Sequence, residues 1–410
     1  MSSIAVIGAG VVGLSAAVFL QRSGHSVTLM ERQQVGGGAS YGNAGMLSVD
    51  SSIPIAMPGM LRNVPKWLMD PTGPLFVKPQ YFATALPWLL KWIQAGKMDA
   101  VRKSSNALRA LHAPGLDQYR ELLGPQHFND LIRVTGQVHV WDSAHESTSE
   151  RVARELREAQ GIETQLLTMA ELRELIPEIS PGIRRALLFP RNGNAVNPLR
   201  MMQTIARLLI EAGGRIVNEN VMRILPSEGR FRLLTNTGDH TFDKIIVAAG
   251  AWSATLLKPL GITFPLETER GYHVQIEKPS MQLRIPLLHK GRGFSASPME
   301  MGLRFAGTVE IAGLETPPNP QRYAALLHHA RALFPSLEFD THALWMGFRP
   351  SLPDSVPILD ECAGQPGIYL ACGHGHTGLT GGAISGRLIS QLVSGEKPII
   401  DPDPYRLTRF

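Results

Sequence analysis

The sequence predicts an α/β protein: a Rossmann-like dinucleotide-binding domain of parallel sheet and helices, joined to a second α+β domain built on an antiparallel sheet. Three observations lead there. The chain opens on an apolar run, Ile4-Ala5-Val6-Ile7, followed at once by Gly8-Ala9-Gly10-Val11-Val12-Gly13 and an apolar stretch of helical spacing to Leu20. A second run, Ser26-Val27-Thr28-Leu29-Met30, ends in the acid Glu31. Far downstream, Ile245 to Ala249 and Ile368 to Cys372 are short apolar runs that each end in small residues, as buried parallel strands do.

In a βαβ unit of this kind the glycines have separate tasks. Gly8 allows the tight turn out of the strand, Gly10 lets the backbone approach a pyrophosphate, and Gly13 lets the helix pack closely. Unpaired N–H groups around Val12 and the positive end of the helix dipole then hold the phosphates without a basic side chain. Glu31 ends the second strand, where a carboxylate accepts from both ribose hydroxyls and disfavours a 2′-phosphate. These residues fix a dinucleotide but do not choose between NAD and FAD.

Composition narrows the rest. The 410 residues suffice for two domains with their own cores, and 44% hydrophobic with 18% charged is an ordinary globular balance. The net charge of +5 is scattered, with pairs such as Arg184-Arg185 but no long basic block, so nucleic-acid binding is excluded as a reading. Attraction to an anionic membrane surface is compatible with it. Cys362 and Cys372 alone give neither a disulfide framework nor a metal site, and they read as reduced cysteines of a cytoplasmic protein. The run Ile4 to Leu20 lacks the basic n-region of a signal peptide, and no other stretch has the length of a membrane span.

Along the chain, residues 1–50 form the first nucleotide-binding unit. Ile53 to Pro87 then carries Pro54, Pro58, Pro65, Pro71, Pro74 and Pro79, which predicts an extended excursion over the surface. Trp88 to Ile93 has the apolar density of a buried or interfacial helix, and Asp99 to Leu123 and Glu146 to Gln160 have helical spacing. Asn197-Pro198 starts a helix that Gly213-Gly214 stops. Arg215 to Asn218 and Asn220 to Ile224 read as strands. Asn236-Thr237-Gly238-Asp239 marks a hairpin between Phe231 to Thr235 and Thr241-Phe242. The run into Ala249 and Gly250 ends at the carboxyl edge of the sheet, where ligands gather in open α/β folds. Leu266 to Leu344 holds strand-like runs, among them Gly271 to Ile276 and Leu303 to Thr308, suited to an antiparallel sheet. The expected division is therefore 1–50, 191–262 and 340–410 for the nucleotide domain, with 51–190 and 263–339 for a substrate domain.

The last apolar strand ends in Gly373-His374-Gly375-His376-Thr377-Gly378, and helical spacing runs from there to Val393. A second helix start thus points out of the sheet. A reduced flavin carries negative charge near N1 and the C2 carbonyl, which a helix N-terminus stabilises, whereas a reduced nicotinamide carries none. That favours FAD.

With these segments in view, the chain resembles the FAD-dependent D-amino-acid oxidase and dehydrogenase superfamily, most of all its D-amino-acid dehydrogenase branch. The resemblance covers nearly the whole chain. It rests on Gly8 to Gly13 with Glu31, Ser40-Tyr41-Gly42-Asn43-Ala44-Gly45-Met46, Val247 to Ser253, Gly347-Phe348-Arg349-Pro350 with Pro353-Asp354, and Gly373 to Thr380. It implies a glutathione-reductase-type FAD domain, with Arg32 and Ser40 among the cofactor contacts and Asn43, Ala44, Gly45 and Met46 running beside the flavin. Val221 would meet the adenine by its backbone, and Gly375, His376, Thr377, Gly378, Leu379 and Thr380 would line the isoalloxazine. Arg349 matches the arginine that clamps the substrate carboxylate, a task suited to a planar guanidinium. Covalently flavinylated relatives carry a cysteine where this chain has Gly347, so non-covalent FAD is expected, and no metal.

The expected reaction is transfer of the Cα hydrogen of a D-amino acid as hydride to flavin N5, giving an imino acid that hydrolyses to a 2-oxo acid. Positioning by Arg349 supplies most of the acceleration. His374, His376 and Tyr272 are the further catalytic candidates, with His273 beside them on the substrate strand. D-proline or hydroxy-D-proline are admissible substrates, and a quinone or another carrier is the expected acceptor. The expected location is cytoplasmic, with peripheral association at the inner membrane face also compatible. Oxidation of glycine, sarcosine or a 2-hydroxy acid on the same fold, an NAD dehydrogenase, and a non-catalytic flavoprotein module stand as alternatives.

Overall fold

The computed structural model describes residues 1–60, 64, 70 and 72–410; Pro65 and Pro71 of the proline-rich passage lie outside the described residues. Its first sheet has six strands in the order Arg215–Asn218, Ser26–Glu31, Ser3–Ile7, Lys244–Val247, Ile368–Cys372 and Ile358–Glu361. All neighbours are parallel except the last pair. Strand alternation divides the apolar residues between two cores. Ile4, Val6 and Ile246 face helices Val11–Arg22, Pro198–Glu211 and Gly378–Ser394, while Ala5, Ile7, Ile245 and Val247 face a core shared with Phe231 and Leu233. The latter two belong to the three-stranded meander Val221–Ser227, Arg230–Thr235 and Asp239–Phe242.

Helices Val11–Arg22 and Gly378–Ser394 pack nearly in backbone contact. A Cβ on Gly386 would stand 2.5 Å from Ala16 N and from Ser15 Cβ, so only glycine allows the crossing. The close approach brings both helix starts to the carboxyl edge of the parallel strands.

The second sheet has nine strands. Its path runs His342–Ser351, Glu267–Ile276, Gly302–Ile311, Phe294–Met299, Leu287–His289, Gln137–Trp141, Arg185–Phe189 and Gln165–Leu167, with Leu75–Val77 added beside Gly302–Ile311. One face packs Val274, Phe305 and Phe294 against Leu326, Leu333 and Phe334 at helix Pro320–Leu333. Its other face is turned towards the nucleotide sheet.

Local signals set most helix ends. Asn197 caps Pro198–Glu211 by accepting from Arg200 N at 3.1 Å, and Ser147 with Glu150 forms a capping box at Thr148–Ala159. The helical stretch expected over Asp99 to Leu123 is two helical segments, Met98–His112 and Gly115–Leu131, because Pro114 cannot continue the first; the second is itself broken at Gly124, whose φ is +73°. Pro87 does not interrupt the apolar segment around Trp88. It sits inside helix Phe82–Ala95, which buries Ala85 and Trp88 and leaves Phe82, Leu86, Leu90 and Ile93 exposed.

Candidate active site

The loop after Ser3–Ile7 is shaped by its glycines. Gly8 has φ +107°, and a Cβ there would meet Ala248 O at 2.4 Å; a Cβ on Gly13 would meet Gly8 O at 2.0 Å. The Ala9 N–H donates to Glu31 Oε2 at 2.8 Å and the Gln33 N–H to Oε1 at 3.0 Å, which fixes the acid at the strand end with lone pairs to spare. Ser40 Oγ accepts from Val11 N at 2.9 Å. The remaining N–H groups of the helix start open into a cavity of about 680 Å³.

This single cavity gathers segments far apart in the chain. Gly8, Gly10, Val12, Glu31 and Arg32 line it, together with Val221, Ala249 and Gly250. Ser40, Asn43, Ala44 and Met46 line it as well. So do Arg349, His374 and the run from Gly375 through His376, Thr377, Gly378 and Leu379 to Thr380. Gly13 lies beneath the loop, and Gly45 behind its segment, where its N–H donates to Asn43 Oδ1 at 2.7 Å. The Arg32 guanidinium stacks 3.7 Å from the Trp252 ring centroid, and both residues are part of the cavity wall. The cavity takes in the starts of both helices and an acid fixed at the ribose position, and its glycine cradle would be filled by any side chain. These residues fit FAD. Among the described residues no His, Cys, Asp and Glu cluster could hold a metal.

Tyr272 is not in the wall. The pleat of Glu267–Ile276 sends it to the opposite face, where its hydroxyl donates to the Glu310 carboxylate and accepts from Asn319 N at 3.1 Å. Its ring packs edge-on to Tyr323, and burial pushes the hydroxyl far above its ordinary pKa. This corrects the expectation of a substrate contact. His273 stays on the cavity side but is committed elsewhere: its Nδ1 donates to Gly42 O at 2.9 Å and its ring stacks on Trp345. Burial, then Arg304, hold it down to about 3, so it is neutral.

Arg349 reaches the cavity from strand His342–Ser351. Its Nη1 donates to Thr308 O at 3.0 Å, a carbonyl turned by the left-handed φ of 56° at Thr308. There Gly302–Ile311 bulges against Glu267–Ile276, between Arg270 and Tyr272. The guanidinium lies across Gly271, where a Cβ would be 2.3 Å from Cζ. Glu269, 4% exposed, stands nearby and accepts from His376 Nε2 at 2.5 Å. Burial raises the Glu269 carboxyl, but His376 and then Arg349 outweigh it and hold the group below the usual carboxylate range. His374 differs: its Nε2 bonds Ser385 Oγ at 2.8 Å, and burial, then His112, push it down to about 3. A ring held neutral that firmly is a weak proton acceptor.

The sequence reading missed Glu269, Gly271 and Arg304. Arg304, fully buried, donates through Nη1 to Tyr41 O at 2.8 Å and Asn43 O at 2.9 Å and so pins that stretch of the cavity wall. Gly271 carried a usable signal, since a glycine inside a strand marks close approach. Arg304 carried none.

The FAD dependent oxidoreductase (DAO) family matches residues 3–392, essentially the span that builds both sheets and the cavity. The chain belongs to this family. As a DAO-family protein it is an FAD-dependent oxidoreductase. It is 38% identical over 99% of its length to a D-amino-acid oxidase of Bradyrhizobium diazoefficiens, covering 98% of that protein. It is 30% identical over 96% of its length to a D-amino acid dehydrogenase of Dechloromonas aromatica, covering 97% of that one. Glycine oxidase from Geobacillus kaustophilus shares the fold, with TM-score 0.73 and 22% identity over 100% of this chain and 99% of the other. The DAO-family assignment carries the α/β Rossmann-like fold and the choice of FAD over NAD.

Proposed function

We propose that this protein oxidises a D-amino acid at Cα to the imino acid, which water converts to the 2-oxo acid, and that its electrons pass to a quinone or similar carrier. The observation that carries this is Arg349, opening into the flavin-sized cavity beside the Gly375–Thr377 turn, with its guanidinium positioned by Gly271 and Thr308. The two D-amino-acid enzymes it resembles support the substrate class.

Arg349 holds the substrate carboxylate; with Nη1 committed to Thr308, its other N–H groups remain for a bidentate contact. When bound, the flavin supplies the two-electron acceptor for the Cα hydrogen. Gly8, Gly10 and Val12 hold the pyrophosphate, Gly13 shapes the loop beneath, and Glu31 holds the ribose. Asn43 to Met46 and Gly375 to Thr380 flank the ring. His374, neutral and bonded to Ser385, orients the turn and takes no proton. FAD is held without a covalent bond: Cys372 borders the cavity, but it is buried and its thiol is pushed up to about 12 by burial, which leaves no thiolate to attack.

The test is anaerobic mixing of the purified flavoprotein with D- and L-amino acids, including D-proline analogues, followed by flavin bleaching. Bleaching by D-amino acids and by no other compound supports the reading; bleaching by none of them overturns it. Arg349→Ala should raise KM by about 10²-fold, the cost of a lost charge-assisted pair, with FAD retained. Acid precipitation should release the yellow colour, and hydrogen peroxide formed at the turnover rate would replace the carrier by oxygen.

We also propose a domain division in which strand His342–Ser351 belongs with the substrate sheet, to which it pairs, rather than with segment 340–410. Peripheral membrane contact is supported by helix Phe82–Ala95, whose exposed Phe82, Leu86, Leu90 and Ile93 share one side and have exposed Lys91 and Lys97 nearby. No helix among the described residues is long and apolar enough to cross a membrane. Co-sedimentation with anionic vesicles tests the contact.

A further inference from the structure

The hydride step needs an amine with a free electron pair, yet an amino acid reaches the site as its ammonium form. One proton must therefore leave the nitrogen before or as the Cα–H bond breaks. Arg349 and the Gly375–Thr377 turn form the wall around the place where that nitrogen would sit, one carbon from the clamped carboxylate.

Behind the wall the structure holds a group with no part in clamping. Glu269 is on the strand Glu267–Ile276, directly opposite Arg349 in the register, and 4% exposed. His376 joins it at 2.5 Å through Nε2, and His376 itself lines the main cavity with its side chain 35% exposed. A carboxylate on Nε2 sets the tautomer: Nε2 carries the hydrogen and Nδ1 keeps the lone pair. A histidine oriented by a buried carboxylate is the arrangement in which an imidazole takes a proton and the resulting cation is stabilised.

The pair also borders a second, small cavity of about 30 Å³, enough to hold water, lined by Glu269, Ser351, Ser355, His374 and His376. His376 thus borders both the main cavity and the small one, while Glu269 borders the small one alone, together with Trp92 and Leu108.

We infer that His376, backed by Glu269, is the proton acceptor for the substrate ammonium, and that the small cavity behind the turn passes that proton to solvent. The inference rests on the proposed amino-acid oxidation. The N–H bond of the ammonium breaks with its electron pair left on nitrogen, and the proton bonds to His376 Nδ1. The imidazolium is stabilised by the Glu269 carboxylate until it gives up one proton to water in the small cavity, which restores the neutral ring. No electrons move in this step; the pair of the Cα–H bond leaves separately with the hydride.

Several charged and titratable groups face the pair. Arg349 approaches Glu269 from strand His342–Ser351, and Glu267 lies two residues along the same strand, bound by the Tyr81 hydroxyl at 3.2 Å. His374 lies across the turn, with His112 of helix Met98–His112 behind it. Glu267 is raised by burial and by Glu269, whereas Glu269 is held down by His376 and Arg349. Of the two acids, the carboxylate next to the histidine is therefore the more readily ionised. His374 and His112, pushed down to about 3 and about 4, stay neutral and do not compete for the proton.

The test uses the FAD-loaded full chain. Flavin reduction by a panel of D-amino acids headed by D-alanine is followed anaerobically by rapid mixing across a pH series. Glu269→Gln and His376→Gln should each slow reduction by about 10²-fold near pH 7, the scale of a positioned base. The deficit should close as the pH rises past the pKa of the free amine, when solution has already removed the proton. Glu269→Asp should recover much of the rate. Binding of 2-methylpropanoate, a carboxylate without an amine, is read from the flavin spectrum and should change by less than about threefold, because Arg349 is untouched. A deficit that stays the same at every pH, or an unchanged rate, overturns the inference; so does a loss of 2-methylpropanoate binding that accounts for the whole effect. If no D-amino acid of the panel bleaches the wild type, the reaction itself falls and this step with it. Bleaching of the wild type with an unmoved pH profile in the variants removes the proton acceptor alone.

Discussion

Gly271→Ala isolates the alignment of the clamp from everything else in the site. The added Cβ would stand 2.3 Å from Arg349 Cζ and Nη2 and 2.5 Å from Nη1, against an ordinary contact limit of 3.4 Å. Clearing it moves the guanidinium by about 1 Å, the scale of misplacement that costs about 10²-fold in an oriented reaction. The atoms it meets belong to the end of a flexible side chain, so the arginine yields and the backbone does not. Glycine in a strand interior also costs about 0.5–1 kcal/mol relative to alanine. The variant should therefore keep or slightly raise its melting temperature while kcat/KM falls by about 10²-fold, or ~2.7 kcal/mol of transition-state stabilisation. Steady-state kinetics on any D-amino acid that bleaches the wild type, with FAD content from absorbance and a melt on the same preparation, reads all three quantities. A kcat/KM within about threefold of wild type, or a loss matched by lost FAD, would refute the argument that Gly271 sets the position of Arg349.

Other consequences follow from backbone fit and buried titratable groups. Gly8→Ala combines a φ of +107° with a backbone clash at Ala248 O, so it should cost more than about 2 kcal/mol and yield protein purified without its yellow colour. His112, His273 and His374 have folded values of about 4, 3 and 3 against an ordinary 6.5. The unfolded chain binds more protons than the folded one between those limits, so stability is fully present above about pH 6.5 and falls as the pH drops towards 4 and then 3. Near pH 5 the slope reaches up to ~4 kcal/mol per unit for three such groups. Urea midpoints taken from pH 7 to pH 5 check this, and a flat profile contradicts it. Burial pushes Cys362 and Cys372 up to about 12, so neither should react with a thiol reagent near pH 8 until the protein unfolds.

The nucleotide half was legible because its signals are local. A glycine turn, a helix start and a terminal acid lie within one βαβ unit, and each residue type answers a constraint imposed by its immediate neighbours. The substrate half was legible only as far as Arg349 and the turn. Which of Gly271, Tyr272 and His273 meets a ligand depends on the pleat, and one step of register exchanges the two faces. The bulge opposite Gly271, where two residues face one, is specified by packing with Gly302–Ile311 and leaves no mark in the run Gly271 to Ile276. Glu269 was invisible for a different reason. Its partners Arg349 and His376 are 80 and 107 residues away, and a lone acid in a strand has no pattern of its own.

The same long-range contacts explain why the two halves work as one site. The parallel sheet can hold a nucleotide at its carboxyl edge, but it contributes no group that recognises a carboxylate. The antiparallel sheet supplies Arg349 and Glu269, but no phosphate cradle. They meet at the segment Tyr41 to Met46, whose carbonyls accept from Arg304 and His273, both buried on the substrate sheet. Arg304 is itself oriented by Gln275 Oε1 at 3.0 Å, on the strand that carries Gly271 and Glu269. The wall proposed to flank the flavin is thus fastened to the strand that positions the clamp. A shift of that strand moves ring wall and arginine together, preserving their separation, and it is this separation, more than the strength of either contact, that sets whether Cα–H meets the acceptor at a reactive distance.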